Sequence, residues 1–489
     1  MNTEIRAWGR VHHESRLAPE HKIYVNRNLR LASVAAIGFD LDHTLAHYRG
    51  PAVEELAYGL ARRHLVEHLG YREALLEIPY DRSFVIRGLV IDKRRGNILK
   101  MDYHNYVARG CHGFRYLDPE ERKATYRSGR IRMGSHTYVS VDTLFHLPEV
   151  SLYGAIVDLV ERTEGKRKAR DYEKIFDDVR LAVDSIHADG SLKQEIVGNL
   201  DHYIRKDPRL TPTLRELVRA GKKLFLLTNS EYYYTDALLR YLIVDGGSRP
   251  AFDWRELFTL IVVDAKKPGF FTASDREPTP DEGHASPCPI FHGGSARFLE
   301  KQLEFKGDQI LYFGDHTYGD ILRSKKSLGW RTAMVVEELR EEIEVTRRLQ
   351  PQIDELSHWK SLRAVLESDL SALEVEQRKL ERRMEKRNGR GEAVSKIERR
   401  MGSIGEEEIR IAQELETVKR MTVELGEAIN ESYNSRWGPL FREGQERSRF
   451  AHQVKDFACL YMTRVSNLLY YDMSQYFRSA TEWMPHELI

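Results

Sequence analysis

The sequence predicts an α/β protein built on a doubly wound parallel sheet, with an inserted cap and a C-terminal helical hairpin. Short apolar runs alternate with helical patterns from about residue 30 to residue 340, which is typical of parallel strands covered by helices. Polar side chains follow four of the five runs, and ligands of such sheets bind beyond the carboxyl ends of the strands. The predicted strands are Val34–Phe39, Lys223–Leu227, Leu260–Val263, Ile310–Phe313 and Thr332–Val336.

The composition indicates two or three domains with a sizeable core. The chain has 489 residues, 41% of them hydrophobic, and a formal net charge of +1. This balance predicts no nucleic-acid or membrane partner, although a small anionic substrate needs only a local positive site. Cys111, Cys288 and Cys459 lie far apart without zinc-ligand spacing, which favours a reducing compartment. The sequence shows neither a signal-peptide pattern nor an apolar run of about 18 residues, so a cytoplasmic location is expected.

Changes of pattern along the chain predict its domains. Residues 1–104 and 201–345 are expected to form the two parts of the core, and 105–200 the cap, because the stretch between the first two strands is far longer than one crossover. Residues 346–440 carry apolar side chains at three-and-four spacing on both sides of a glycine-containing turn, which predicts a long antiparallel helical hairpin. Residues 441–489 are rich in aromatic side chains and should pack on the core or at a subunit interface.

Two carboxylates separated by one residue, Asp40 and Asp42, end the first predicted strand. Because strand side chains repeat every second residue, both point to the same side and repel unless a cation or a proton lies between them. This arrangement suits Mg²⁺-dependent phosphoryl transfer, with Asp40 as the nucleophile and Asp42 as the acid and base. The alternative is a surface pair that caps the next helix.

Two later segments provide polar groups for a phosphate. Thr228, Asn229 and Ser230 follow the second predicted strand, where hydroxyl, amide and main-chain N–H groups can hold phosphate oxygens. Taken alone, three such residues after a strand are more often an ordinary helix N-cap. Lys267 can balance the charge of the phosphate and of the transition state, although a lone loop lysine is usually solvated.

A further pair of acids follows the fourth predicted strand. Asp315 is expected to be a Mg²⁺ ligand, because it ends the strand as Asp40 does. Asp320, five residues later, is expected to accept a hydrogen bond that orients a water molecule or Lys267. Each later motif is weak by itself, and their order, each after a strand, is what predicts a phosphotransfer site.

In this order the motifs resemble those of the haloacid dehalogenase superfamily, whose phosphatases use D-x-D-x-T, a Ser or Thr, a Lys and a pair of acids. Within it, the chain is similar to the cytosolic purine 5′-nucleotidase family from about residue 25 to the C-terminus. The resemblance implies a haloacid dehalogenase-like core of the Rossmann type. The segments that carry it are Thr143–Pro148, Asp178–His187, Gly190–Lys193, Val263–Pro268, Phe291–Ser295, Leu311–Lys326, Gly329–Thr332, Asn467–Tyr471 and Met484–Glu487.

The resemblance also implies ligand contacts. It places Mg²⁺ on Asp40, Asp315 and the main-chain carbonyl of Asp42. The residues that it places around the phosphate are Thr228, Asn229, Lys267 and Lys193. From the inserted region, the residues that it places at the purine base are Phe145, which stacks, with His146, Arg180, Asp184 and His187. From spacing alone, Arg180 and Asp184 would instead form an i,i+4 ion pair on a surface helix.

The chain departs from the family's pattern at three positions. His146 stands where the family has Asn beside the stacking Phe145. Asp142 and Tyr318 replace an Asn and a Phe at the family's nucleotide effector site, where Lys326 is retained. An acid at position 142 disfavours polyanionic nucleotides, so activation by ATP-like molecules is not expected.

Together these features predict a Mg²⁺-dependent cytosolic 5′-nucleotidase that hydrolyses purine nucleoside monophosphates, IMP and GMP, through an aspartyl-phosphate. Capture of that intermediate by a nucleoside predicts phosphotransfer as a second activity, and the resemblance implies a homo-oligomer. Two alternatives stay open: a phosphatase of another small phosphate ester, and a nucleotide-binding scaffold whose helical hairpin recruits partners.

Overall fold

The computed structural model describes residues 17–480, apart from 128–130, 166, 244–252, 274–275 and 386–391. The described residues fall into two units. The first unit takes in the chain up to Glu341 and from Leu440 onward, and it contains the sheets. The second unit, Glu342–Pro439, is helical.

The strands of the described ranges are short, as expected for strands that alternate with helices and loops. Numbered in chain order, they are β1 Tyr24–Val25, β2 Leu29–Arg30, β3 Ala36–Phe39, β4 His47–Tyr48, β5 Val90–Asp92, β6 Asn97–Met101, β7 Val107–His112, β8 Arg115–Tyr116, β9 Tyr138–Ser140, β10 Ile204–Arg205, β11 Lys223–Leu227, β12 Leu260–Val263, β13 Pro278–Pro280, β14 Ile290–Gly293, β15 Ile310–Gly314, β16 Arg331–Val335, β17 Arg442–Glu443, β18 Glu446–Arg447, β19 Leu460–Met462 and β20 Tyr476–Phe477.

The α-helices range from single turns to the two long helices of the second unit. Within the described residues, no helix is both long enough and apolar enough to cross a membrane. In chain order the α-helices are α1 Gly50–Leu69, α2 Pro119–Tyr126, α3 Leu147–Glu164, α4 Ala169–Ala188, α5 Ser191–Gly198, α6 Leu200–Tyr203, α7 Leu210–Arg219, α8 Tyr232–Leu242, α9 Ala296–Leu303, α10 Arg323–Leu328, α11 Leu339–Arg348, α12 Gln350–Glu385, α13 Glu392–Tyr433 and α14 Arg449–Phe457.

A nine-stranded sheet in the order β1-β19-β16-β15-β3-β11-β12-β14-β13 organises the first unit. Its seven inner strands, from β19 to β14, pair in parallel, and the edge strands β1 and β13 pair antiparallel. The chain passes outward from β3 through β11, β12 and β14, then returns to β15 on the other side of β3. This order is doubly wound, and its switch point lies between β3 and β15. The predicted fold class is confirmed, and a strand forms at each of the five predicted runs.

The four residues of β3 are all buried, which is why the run reads as continuously apolar. Gly38 is required where β3 lies beside β11, because a Cβ atom at this position would come within 2.1 Å of Cζ of Phe225. Both neighbours of β3 are parallel strands, so all three direct their carboxyl ends to the same edge of the sheet. That edge carries the candidate site.

The chain between β3 and β11 forms a second, antiparallel sheet in the order β8-β7-β6-β5-β9, together with helices α1 to α7. Helix α4 buries a stripe that includes Tyr172, Val179 and Ile186, and it packs against α1 and α3. The second sheet takes strands from both sides of residue 104, where the sequence predicts the start of the cap. The extent of the cap along the chain stays a prediction.

The second unit is dominated by helices α12 and α13, which pack along each other. Leu366 of α12 packs with Ile411 of α13, whereas Leu349, next to the start of α12, packs with Ile429 near the end of α13. Low residue numbers of one helix therefore meet high numbers of the other, so the pair is antiparallel. The predicted helical hairpin is confirmed, and its predicted turn at residues 388–391 lies outside the described residues.

The described part of the aromatic C-terminal segment contributes to the central sheet. Strand β19 pairs with β16 on one side and with β1 on the other. The ring of Tyr461 in β19 stacks on Tyr24 of β1, with centroids 5.1 Å apart. This part of the segment therefore packs on the core, and a role in a subunit interface stays a prediction.

Candidate active site

The predicted catalytic residues lie at the carboxyl ends of neighbouring central strands. Asp40 follows β3, Thr228 follows β11, Lys267 lies in the loop after β12, and Asp315 follows β15. The main-chain N–H of Asp40 donates to the carbonyl of Phe313 at 2.9 Å, which extends the pairing of β3 and β15 to the site. The doubly wound order thus brings residues that are far apart in sequence to one point.

Lys267 is buried between two carboxylates. Its Nζ lies 2.9 Å from Oδ1 of Asp40 and 2.7 Å from Oδ1 of Asp320, and it donates to the hydroxyl of Tyr312 at 3.0 Å. Burial alone would lower the pKa of Lys267, but Asp320 and Asp40 raise it above its usual value, so the lysine stays charged. Burial raises the pKa of Asp40, and Lys267 opposes that rise. The expectation that Asp320 contacts Lys267 agrees with this geometry.

Three buried acids are arranged so that they can hold a cation. Carboxylate oxygens of Asp40, Asp315 and Asp320 lie within 4.8 Å of one another. Oδ2 of Asp315 is buried and has no hydrogen-bond partner among the described residues. Carboxylate oxygens are the ligands that Mg²⁺ prefers, so this set and its unpartnered oxygen fit that ion.

The carboxylate of Asp42 is not part of this set of three acids. Its Oδ1 accepts a hydrogen bond from the hydroxyl of Tyr48 at 2.5 Å, and its Oδ2 accepts one from Oγ of Ser230 at 2.7 Å. Tyr48 is in turn 2.8 Å from the hydroxyl of Tyr234. Two hydroxyl donors therefore orient the Asp42 side chain, which leaves only its main chain for the expected contact with Mg²⁺.

The predicted phosphate-binding residues hold the loops around the site. The side chain of Asn229 pairs with the main chain of Lys267: Oδ1 accepts from its N–H at 2.6 Å, and Nδ2 donates to its carbonyl at 3.1 Å. Oγ1 of Thr228 accepts from the N–H of Ser230 at 3.0 Å. Asn229 and Ser230 line the cavity described next, whereas Thr228 is fully buried beneath them. In this geometry Asn229 fixes the position of Lys267.

A cavity of about 510 Å³ extends from Asp40 to the helices of the inserted region. Its lining includes both carboxylates of the Asp-x-Asp pair together with Lys267 and Asp315. The rings of Phe145 and His187 meet edge to face in its wall, 5.9 Å apart between centroids. All the residues that the sequence places at the base or reaching in from the cap line this same cavity: Phe145, His146, Arg180, Asp184, His187 and Lys193.

Arg180 is held by a residue that sequence reasoning missed. Its Nη2 donates to Oε1 of Glu149 at 2.8 Å, rather than forming the i,i+4 pair with Asp184 that spacing alone allows. Glu149 lines the cavity and is almost fully buried. Burial raises the pKa of Glu149 to about 7, although Arg180 opposes the rise. A charged residue inside the apolar run that opens α3 was the available signal for Glu149.

His146 is neutral in this environment. Burial and the nearby charge of Arg180 lower the pKa of His146 to about 3. Nη1 of Arg180 lies 3.5 Å from Nε2 of His146, and a guanidinium can only donate, so Nε2 accepts and the ring proton lies on Nδ1. His146 Nδ1 is buried and has no partner among the described residues, so its N–H group is an unsatisfied donor next to the cavity.

Lys193 has a partner of its own. Its Nζ forms an ion pair with Glu231, the residue that precedes α8, and lies 5.4 Å from the ring centroid of Tyr234. Glu231 also lines the cavity. A phosphate that binds Lys193 must therefore compete with a carboxylate.

The doubly wound sheet and the acid–lysine cluster at its switch point define a phosphoric monoester hydrolase of the α/β class. The chain belongs to the 5′ nucleotidase family, whose sequence model matches residues 23–489. The family expected from the sequence is thereby confirmed at the level of 5′-nucleotidases.

Curated relatives carry the same designation. A 5′-nucleotidase domain-containing protein of Dictyostelium discoideum is 30% identical over 95% of this chain and 74% of its own length. 5′-nucleotidase domain-containing protein 2 of Homo sapiens is 28% identical over 95% of this chain and 85% of its own length. The similarity therefore covers core, inserted region and hairpin alike.

Solved structures match less closely. An archaeal beta-phosphoglucomutase from Pyrococcus sp. strain ST 04 aligns with 14% identity and a TM-score of 0.28, covering 62% of this chain and 88% of that chain. A predicted phosphoglycolate phosphatase from Haemophilus somnus gives 14% identity and the same TM-score of 0.28, covering 62% of this chain and 86% of that chain. The fold described above rests on the chain's own strand order.

Proposed function

We propose that this protein is a Mg²⁺-dependent 5′-nucleotidase that hydrolyses purine nucleoside 5′-monophosphates, IMP and GMP, through an aspartyl-phosphate on Asp40. The observation that carries the proposal is that Asp40 and Phe145 line one cavity of about 510 Å³. A nucleophile for phosphorus and an aromatic surface for a planar base thus share one space. Its volume lies within the roughly 300–1,000 Å³ typical of small-molecule sites.

In the first step, an oxygen of Asp40 attacks phosphorus and the bond from phosphorus to the ester oxygen breaks. Oδ1 of Asp40 already accepts from the N–H of Leu41 at 2.8 Å and lies beside Lys267, so Oδ2 is the oxygen left for attack. Asp42, oriented by Ser230 and Tyr48, protonates the departing alkoxide.

In the second step, Asp42 takes a proton from water, the water oxygen attacks phosphorus, and the bond to Asp40 breaks with release of phosphate. Lys267 compensates negative charge in both steps. Asp40, Asp315 and the carbonyl of Asp42 would hold Mg²⁺, which supplies the charge that reduces repulsion between phosphate and carboxylates. The helices over the cavity limit access of bulk water to the acyl phosphate.

The cap side of the cavity supports a purine substrate. The Phe145 ring offers a stacking surface, and Arg180, Asp184, Glu149 and neutral His146 offer both donors and acceptors to the edge of a base. Lys193 would reach the phosphate after exchanging its partner Glu231. Thr228, Asn229 and Ser230 would then contribute to the phosphate site mainly by holding its loops.

The proposal extends to behaviour that follows from the chemistry and the family. A nucleoside hydroxyl can replace water in the second step, which would give nucleoside phosphotransfer. We also propose a cytoplasmic location and a homo-oligomer, as the sequence resemblance implies. Phosphotransfer shares its first step with hydrolysis, whereas the location and the oligomeric state do not depend on the hydrolytic chemistry.

Steady-state kinetics on IMP, GMP, AMP, pyrimidine monophosphates and ribose 5-phosphate, each with and without Mg²⁺, tests the proposal. We expect kcat/KM for IMP and GMP to exceed that for ribose 5-phosphate by at least about tenfold, which corresponds to about 1.4 kcal/mol of base recognition. Activity should disappear when EDTA removes Mg²⁺. Equal rates on all esters would favour the alternative of a phosphatase of another small ester, and turnover of none would favour a scaffold.

A further inference from the structure

A fully buried arginine lies behind the acid cluster. Arg87 belongs to the segment between the turn Arg82–Phe84 and strand β5, in the chain that connects β3 to β11, and its side chain is 0% exposed. A guanidinium cannot lose its proton in a protein, so burying it is unfavourable unless its N–H groups are paired. Arg87 must therefore have partners that compensate its charge.

The first partner is Glu338, which follows β16. Nε of Arg87 donates to Oε1 of Glu338 at 2.6 Å, and Nη2 donates to Oε2 at 2.5 Å. This two-pronged geometry fixes the plane of the guanidinium. The ring of Phe450 in α14 lies against it, with the centroid 5.0 Å from Cζ. The guanidinium is thus fixed by two other segments of the first unit.

The remaining N–H group of the guanidinium reaches Asp315, at the carboxyl end of β15. Nη1 of Arg87 donates to the main-chain carbonyl of Asp315 at 2.9 Å, whereas its distance to Oδ2 of Asp315 is 3.9 Å. Arg87 therefore holds the backbone of Asp315 by a hydrogen bond and leaves its carboxylate without one. Oδ2 of Asp315 is buried and has no hydrogen-bond partner among the described residues.

We infer that Arg87 is a positioning residue for Asp315: it anchors the main chain and so keeps the carboxylate of Asp315 beside those of Asp40 and Asp320 at the cation site. The inference rests on the proposed role of Asp315 as a Mg²⁺ ligand. An arginine bonded directly to the carboxylate would compete with a cation for the same oxygen. An arginine bonded to the carbonyl orients the ligand without occupying it.

The inference separates geometry from charge. If Arg87 acted only as a nearby positive charge, its removal would strengthen the binding of Mg²⁺, and Arg87→Lys would leave binding unchanged. If it acts by position, Arg87→Lys keeps the charge but cannot make the fork to Glu338 and the bond to Asp315 together. Both Arg87→Lys and Arg87→Met should then weaken Mg²⁺ binding.

Titration calorimetry of Mg²⁺ alone into the full-length protein tests this. We expect the Kd for Mg²⁺ to rise by at least about tenfold in Arg87→Lys, as for other residues that orient metal ligands. Arg115→Lys is the matched control. Arg115, on the exposed strand β8, also makes a two-pronged contact with a glutamate, Glu121, but it lies outside the acid cluster. A Kd in Arg87→Lys within twofold of the wild type would overturn the inference.

A second variant covers the case in which Arg87→Lys does not fold. Glu338→Gln keeps Arg87 and removes one arm of the fork, and Glu338 is partly exposed, so its replacement is milder. We expect a several-fold rise in the Kd for Mg²⁺, and an unchanged Kd would contradict the inference. If the wild-type protein binds no Mg²⁺, the proposed function fails instead, and the two failures are distinguishable.

Discussion

At the scale of single residues, the site carries an excess of buried negative charge. Asp40, Asp315 and Asp320 converge on one another, and Lys267 is the cation that contacts two of them. Arg87 also lies 3.9 Å from Oδ2 of Asp315, but its charge is already paired with Glu338. The three carboxylates therefore repel one another unless protons or a further cation join them. Burial is the first cause of the raised pKa values of Asp40 and Asp315, and the neighbouring carboxylate of Asp320 adds to both rises. A divalent cation would remove the excess of negative charge.

The pKa of Glu149 provides a test of the buried environment in the part of the cavity proposed for the purine base. Burial raises its pKa from 4.5 in the unfolded chain to about 7 in the folded one. Between these pH values the folded protein binds the proton and the unfolded chain does not, so Glu149 makes the free energy of unfolding fall as pH rises. The stabilisation is complete below about pH 4.5, is lost as pH rises to about 7, and amounts to about 3 kcal/mol.

We expect Glu149→Gln to lose this dependence. The difference in the free energy of unfolding, variant minus wild type, should rise between about pH 4.5 and 7 and stay constant above, as measured by urea denaturation. Glu55→Gln, at an exposed position of α1, is the control. Parallel curves for Glu149→Gln and the wild type would contradict the buried environment of Glu149.

At the scale of elements, strand β3 sets the position of the nucleophile. Its neighbours β11 and β15 fix its register on both sides, and Phe225 of β11 fills the space beside Gly38. Any side chain at position 38 would force apart the strands that carry Asp40 and Thr228. Strand β3 therefore tolerates few substitutions, because the contacts that pack it in the sheet also position Asp40.

We expect Gly38→Ala to lower the free energy of unfolding by about 1–3 kcal/mol, because its Cβ would overlap the ring of Phe225. Gly59→Ala in α1 is the matched control, since a Cβ there meets nothing within 4 Å. The control should be neutral or stabilise by about 0.5–1 kcal/mol. Urea denaturation of both variants measures the difference, and equal stabilities would count against the packing described for β3.

The elements also show what could be predicted from the sequence. β11 and β12 match the predicted strands, because continuous apolar runs report strands buried on both faces. The short strands β5 to β9 have no such pattern and were not predicted. Arg87 and Glu338 could not be paired in advance, because 251 positions separate them and neither has a local motif. The pairing of Glu149 with Arg180 could not be predicted either, since Arg180 lies on another helix, although the charge of Glu149 within an apolar run marked the residue itself.

At the scale of the whole molecule, all the described residues that line the cavity belong to the first unit. The central sheet supplies the residues of the reaction and the inserted region supplies the residues around the base. The described residues of the hairpin in the second unit do not line the cavity, and the proposed chemistry uses none of them. The claim on which the proposed function depends most is that Asp40 carries the phosphate as an aspartyl-phosphate.

Rapid quench of the protein during turnover of IMP with Mg²⁺, followed by borohydride reduction and peptide mass spectrometry, tests that claim most directly. Borohydride converts an aspartyl-phosphate to homoserine. The account predicts homoserine at position 40 and nowhere else, with more of it in Asp42→Asn, where the base for the second step is missing. Asp40→Asn should show neither homoserine nor turnover. Homoserine that derives from another aspartate, or turnover by Asp40→Asn at the wild-type rate, would contradict transfer of phosphate through Asp40.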